Sequence, residues 1–281
     1  MRLRPITLLA GILGVGTAGF LVGSHQLLRH QAAQARAVIG KPLGEDALDA
    51  DRTFKKRYGD PIHLLVVGDS IAAGLGAELP SHTPGARLAK YVAKATQRSV
   101  RLRTVARVGS ESSMLEAQLA TLEPSYRADV AVVIVGGNDV THRVPTGESV
   151  AHLEVCVTTL QERGAAVVVG TCPDLGMVRP VPQPLRALGS RASRQLATAQ
   201  REAALALGAR AVSLADVVGP FFITNPDEMF SLDRFHPSSL GYKRTAKAVL
   251  PSVLAALGVA ERVPFGHHVP PPSSGLTDPA G

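Results

Sequence analysis

Four short runs limit what this chain can fold into: Ile62–Val67, Val130–Val135, Ala165–Val169 and Ala211–Leu214. Each is apolar and rich in β-branched residues, with no polar residue at every second position. A strand with one wet face alternates, whereas a strand covered on both faces does not, so these runs suit a parallel sheet packed between helices. A fifth run, Val100–Val105, is interrupted by Arg101 and Arg103, as a half-exposed edge strand would be. Helical patterns fill the gaps at about 83–97, 112–122, 147–163 and 188–207. A last helix follows His236-Pro237, with Ser238 or Ser239 as its cap and Pro237 near its first turn. Strand–helix alternation of this kind predicts an α/β fold, a doubly wound sheet of about five parallel strands.

In an open parallel sheet, ligands sit beyond the carboxyl ends of the strands. The residues just after the apolar runs are therefore the candidates for chemistry. They are Gly68-Asp69-Ser70, Val108-Gly109-Ser110, Gly136-Gly137-Asn138-Asp139 and, near the C-terminus, Asp233-Arg234-Phe235-His236-Pro237. A serine hydroxyl is a weak nucleophile and needs a base beside it. His236 supplies a base for Ser70, and Asp233, three residues earlier, would share a face of a helical turn with it and hold the imidazole. Oxyanion donors are available in the N–H groups of Ser70 and Gly109 and in the side-chain amide of Asn138. Each tripeptide alone reads as an ordinary turn or cap. Together, in this order and at these strand ends, they read as an acyl-transfer site.

The set resembles the SGNH hydrolases, also called GDSL esterases and lipases, over about Asp60 to Leu257. The Ser, Gly, Asn and His of the family's four blocks correspond to Ser70, Gly109, Asn138 and His236, with Asp233 as the acid. Two departures are visible. Ile71 stands where the family often has Leu, and Ala106-Arg-Val-Gly109 replaces the common Asn-x-Gly-x-x-Gly. The resemblance implies a flavodoxin-like, three-layer αβα fold and ester hydrolysis with no metal and no cofactor. The α/β-hydrolase elbow G-x-S-x-G is ruled out because its last position here is Ala72. Other polar candidates weigh less: His142 as a surface or pocket residue, Asp139 as a cap, and Asp174 and Asp216 at further strand ends. Phe221, Phe222, Phe230 and Phe235 read as core or pocket wall. The Pro-rich stretch at about 175–188 is a candidate specificity loop. The substrate is expected to be a small-molecule, glycan or lipid ester. Acyl transfer, carbohydrate O-acetyl ester hydrolysis in the cell envelope and a non-catalytic surface binding module are the competing readings.

The ends of the chain differ from its middle. Arg2 and Arg4 precede Ile6–Gly23, a stretch without a charged residue. That length is near the lower limit for a membrane-spanning helix and long for a cleaved signal. Residues 1–23 are read as a signal anchor in preference to a signal peptide, residues 24–58 as a polar linker, 59–258 as the hydrolase domain and 259–281 as a Pro-rich disordered tail. The chain would then be membrane-anchored facing outside the cytoplasm, or secreted. Gly14-x-Gly16-x-x-Gly19 matches a dinucleotide fingerprint but lies inside the apolar run, with no acidic residue at positions 34–44, and is rejected. Cys156 and Cys172 are the only cysteines, and export makes a disulfide between them an expectation, with two buried thiols as the alternative. The net charge of +7 comes from scattered residues rather than a Lys/Arg block interleaved with aromatics, so nucleic acid is not an expected partner. The oligomeric state is left open.

Overall fold

The computed structural model describes residues 6–271, with side chains from Gly23 onward. Seven strands form one sheet: β1 (Thr53–Phe54), β2 (Pro61–Gly68), β3 (Ser99–Thr104), β4 (Val130–Ile134), β5 (Ala166–Gly170), β6 (Arg210–Val212) and β7 (His267–His268), in the order β1-β3-β2-β4-β5-β6-β7. The five inner strands are parallel, as expected. The helices are α1 (Ile6–Ile39), α2 (Ser70–Ala73), α3 (Pro84–Thr96), α4 (Leu115–Leu119), α5 (Gly137–His142), α6 (Thr146–Glu162), α7 (Leu185–Ala206), α8 (Leu214–Val217), α9 (Gly219–Thr224), α10 (Pro226–Met229) and α11 (Ser239–Ala256).

The unbroken apolar runs are explained by two cores, one on each face of the sheet. On β2 and β4, Ile62, Leu64, Val66, Val130, Val132 and Ile134 point to one side and pack with α3 and α11. Leu65, Val67, Ala131 and Val133 point to the other and pack with α4, α6 and Ala204 of α7. Each fully buried Val or Leu contributes roughly 1.5–3 kcal/mol, so both faces of these strands stabilise the fold. On β3 the exposed positions are Arg101 and Arg103, which fits the edge reading. Ser238 caps α11, its hydroxyl accepting from Leu240 N and Gly241 N at 3.2 and 3.1 Å.

Both proposed domain ends need correction. β1 lies in the stretch read as linker and pairs antiparallel with β3, burying Phe54. β7 lies in the stretch read as tail and pairs antiparallel with β6. His268 Nε2 meets Ser213 Oγ at 3.0 Å, and His267 Nδ1 meets Ser252 Oγ at 2.7 Å. Two-residue strands have no periodicity to read, and His-His carries no strand signal. α1 runs through the 23/24 division as one helix. The remainder of the tail, 272–281, lies outside the described residues, as do the side chains of the apolar run before Gly23. Among the described residues no helix is long and apolar enough to cross a membrane.

Chain order fixes where a ligand would sit. β2 is followed by β3 on one side and by β4 on the other, so the order reverses between β2 and β4. A crevice opens at the carboxyl ends at such a point. The residues leaving β2 are Asp69 and Ser70, and those leaving β4 include Asn138.

Candidate active site

The first wall of this crevice begins where β2 ends. Gly68 has φ 136°, and a Cβ there would lie 1.8 Å from the Ile134 carbonyl oxygen. Only glycine lets the strand end press this closely on β4. Asp69 N–H then donates to Ile134 O at 3.0 Å, and the Asp69 carboxylate accepts from Ile71 N at 2.9 Å, capping α2. Ser70 is the first residue of that short helix and is largely buried. Burial pushes the Asp69 carboxyl up to about 6, with the Ile71 N–H and the charge of His236 offsetting only part of the rise.

His236 faces Ser70. Its Nε2 lies 2.9 Å from Ser70 Oγ, and its Nδ1 lies 2.5 Å from Asp233 Oδ2. Asp233 Oδ1 accepts three further bonds, from Ser231 Oγ, Phe235 N and His236 N, each at 2.9 Å. Burial alone would raise the Asp233 pKa, but the bonds from His236 and from the Phe235 and His236 amides outweigh it and hold the carboxyl below its ordinary range. The helical turn expected for this segment is not what forms. Ser231 N donates to His236 O at 2.8 Å, Arg234 takes φ 55°, and Phe230 bridges Pro237. The segment closes into a tight loop in which Ser231 shares the carboxylate, a contact the sequence pattern did not suggest.

Beside Ser70 N–H, the oxyanion candidates come from α5, just after β4, and from the loop after β3. Asn138 Nδ2 donates to Ser110 O at 2.9 Å. Asp139 is buried and accepts from Ser112 N at 3.1 and 3.2 Å. Two consecutive side chains of α5 therefore grip the loop on which Gly109 sits. Gly109 has φ 80°, and the space where a Cβ would stand is open. Ser70 and Asn138 line the cleft directly, whereas Gly109 adjoins it through the gripped loop.

Two buried glutamines, absent from the sequence reading, tie the strand ends together. Gln118 accepts from Gly68 N at 2.9 Å and donates to Gly68 O and Ser110 Oγ at 2.8 and 3.0 Å. Gln200 accepts from Cys172 N at 2.7 Å and donates to Val135 O at 3.0 Å. A glutamine on the apolar face of a helix is the signal that could have found them, since such a group is buried only when bonded.

The opposite wall is apolar. It is built by Pro173, Leu175, Met177 and Val178 after β5, by Leu214 and Val218, and by Phe222, Phe230 and Phe235. Phe222 and Phe230 meet edge to face at 4.8 Å, and the Phe235 ring lies 4.9 Å from that of His236. Asp174 also lines the cleft, with its carboxylate taken by Gly176 N and Arg194 Nε at 2.8 and 2.7 Å. His142 is exposed and paired with Glu111, Phe221 lies under Arg244, and neither lines the cleft. The expected disulfide is not formed. Cys156 and Cys172 are both free and buried. Cys156 belongs to the α6 side of the core, whereas Cys172 lies at the end of β5 beside Gly136. Burial pushes the Cys156 thiol up to about 12 and the Cys172 thiol well above its ordinary value.

Residues 66–244 match the profile of the GDSL-like lipase/acylhydrolase family. A GDSL-like esterase of Mycobacterium tuberculosis is 36% identical over 277 residues, covering 92% of this chain and 87% of that protein. Among solved structures, a lipase/acylhydrolase of Enterococcus faecalis superposes with TM-score 0.57 at 18% identity, over 72% of this chain and 100% of that one. An acetyl xylan esterase of Geobacillus stearothermophilus does so with TM-score 0.54 at 18% identity, over 72% and 97%. The two structures share the fold. The family match spans all four strand-end blocks around the Ser70–His236 contact, so this chain belongs to the GDSL-like lipase/acylhydrolase family and is a carboxylic ester hydrolase.

Proposed function

We propose that Ser70, His236 and Asp233 hydrolyse the ester through an acyl-enzyme. The observation that carries this is the unbroken chain from Ser70 Oγ through His236, 2.9 Å on one side and 2.5 Å on the other, to a carboxylate with four donors. With its Nδ1 proton on Asp233, the imidazole presents an Nε2 lone pair to the Ser70 hydroxyl. His236 takes that proton as Ser70 Oγ bonds to the ester carbon. It returns the proton to the alkoxide when the ester C–O bond breaks. Water, deprotonated by the same imidazole, then releases the carboxylic acid. The oxyanion formed in both halves takes hydrogen bonds from Ser70 N, Gly109 N and the Asn138 amide. Asn138 spends one hydrogen on Ser110 O, which fixes its plane, and gives the second to the oxyanion.

An intact nucleophile, base and acid at one cleft argue for turnover over a binding module. The apolar opposite wall favours an ester whose acyl part is a hydrocarbon chain over a carbohydrate O-acetyl ester, and the alcohol part, small-molecule or lipid, is left to the mouth of the cleft. Arg2, Arg4 and the uncharged run behind them support action outside the cytoplasm at a membrane, through a signal anchor. Ser70→Ala with a chromogenic short-chain ester tests the chemistry. It is expected to fold and to lose nearly all hydrolysis, and unchanged turnover would end the proposal. Added acceptor alcohols report whether water or an alcohol takes the acyl group.

A further inference from the structure

The apolar wall is attached to the N-terminal helix. The segment from Asp174 to Leu185 supplies Asp174, Leu175, Met177 and Val178 to the cleft and then runs through Pro180, Pro182 and Pro184 into α7. Its inner end is tied within the domain by Asp174 to Arg194, at 2.7 Å, and by Leu175 N to Ser193 Oγ, at 3.1 Å. Its middle is tied to α9 by Arg179 Nη2 to Ile223 O at 3.2 Å. Its outer end is tied to α1. The Gln31 amide donates to Gln183 O and accepts from Leu185 N, the latter at 3.1 Å. It thereby spans Pro184, which has no N–H of its own.

Gln31 lies on the docked stripe of a helix that is otherwise mostly exposed. Leu28, Gln31, Ala32, Ala35 and Ile39 are buried or half-buried at helical spacing, and Gln31 is only 6% exposed. Ala35, one turn on, docks by packing alone. A buried amide is costly unless bonded, and here both of its polar atoms are spent on the backbone of the pocket-wall segment. We infer that Gln31 is a positioning residue for the acyl side of the cleft: α1 braces the 174–185 wall through this side chain, so the N-terminal helix takes part in choosing the acyl group. The inference rests on the cleft reading given above. With the latch gone, Met177 and Val178 lose a fixed backing. Long acyl chains, which reach that wall, would lose more than an acetyl group, which does not.

The test is Gln31→Met and Gln31→Ala in the full-length chain, with kcat and KM measured for chromogenic acetyl and octanoyl esters. Methionine keeps the volume and removes both hydrogen bonds. Both variants are expected to raise the octanoyl KM about five-fold while the acetyl KM and both kcat values stay within about two-fold. Hydrogen exchange at the Leu185 amide should quicken in both. An unchanged octanoyl-to-acetyl KM ratio in both variants would overturn the inference, as would equal changes for the two esters, which make Gln31 a structural contact only. Wild-type behaviour of Gln31→Met beside a changed Gln31→Ala would overturn it too, because packing would then suffice. If Ser70→Ala still hydrolysed either ester, the reading of the site would fail instead of the latch.

Discussion

The two walls of the cleft are built in opposite ways. On the Ser70 side the polar groups are held by neighbours. Gln118 clasps Gly68 and Ser110, Asn138 holds Ser110, Asp139 holds Ser112, and Asp233 takes four donors. On the Met177 side, apolar groups meet apolar groups, and the wall's place depends on ties made further along the chain to α1, α7 and α9. Hydrogen bonds fix direction and distance, which a proton relay and an oxyanion site need. Dispersion and burial are non-directional, which suits the acyl-chain surface proposed above. On the proposed mechanism, the difference gives reaction rate to one wall and substrate choice to the other.

Substitutions on each wall break or sharpen that assignment. The largest effect is expected at Asp233. Asp233→Asn keeps the shape but lets the imidazole settle in the wrong tautomer and withdraws the charge that stabilises the imidazolium. In a serine protease triad the comparable change costs about 10⁴-fold, and a smaller loss on the order of 10²-fold in kcat is expected here, with KM little changed. A silent Asp233→Asn would move the acid elsewhere and undo the rate assignment. On the other wall Met177→Ala should leave kcat alone. It should raise the octanoyl KM by roughly ten-fold, the value of one to two methylene groups of lost burial. A fall in kcat for the acetyl ester would show that the walls are not separable.

The two buried carboxyls of the Ser70 wall give the smallest and most specific effect. Asp233 has more donors than burial can oppose, so its contribution to stability is present above the ordinary carboxylate range and lost as pH falls through its lowered pKa. Asp69 has fewer and is raised to about 6. A raised folded pKa stabilises the fold below the unfolded value and loses that contribution as pH rises through the folded one. Relative to Asp69→Asn, the native chain should therefore lose stability between about pH 4 and pH 6, by no more than roughly 3 kcal/mol. Urea denaturation of both proteins across that window measures it. Parallel curves would mean that Asp69 stays ionised.

The same contrast explains how much could be read from the sequence. Gly68-Asp69-Ser70 and Gly137-Asn138-Asp139 stand beside β2 and β4, whose unbroken apolar runs announce two-sided burial, so their place at the carboxyl ends follows from local pattern. Asp233 and His236 are three apart and find each other locally, although the loop that holds them is closed by Ser231, which no spacing rule suggests. The apolar wall was legible only in part: the 175–188 stretch and Phe222, Phe230 and Phe235 were expected at or near the pocket and line it, but Met177, Val178 and Val218 are ordinary core residues until the loops are placed. β1, β7, the Gln118 and Gln200 clasps and the docking of α1 are contacts between distant segments, and single short elements carry no signal for them. The disulfide expectation came from cysteine count, compartment and an expected contact between a helix and the strand after it. The fold places one thiol in the α6 core and the other at a strand end.

The claim on which the rest depends is that Ser70 carries the acyl group. An alkyl phosphonate with a nitrophenol leaving group mimics the acyl transfer and stops at the tetrahedral phosphorus. Mass spectrometry of the treated full-length chain should show one adduct, on the peptide containing Ser70, forming with loss of esterase activity. Ser70→Ala should take up none and His236→Gln should label far more slowly. An adduct on another residue, or loss of activity with Ser70 unmodified, would contradict the account.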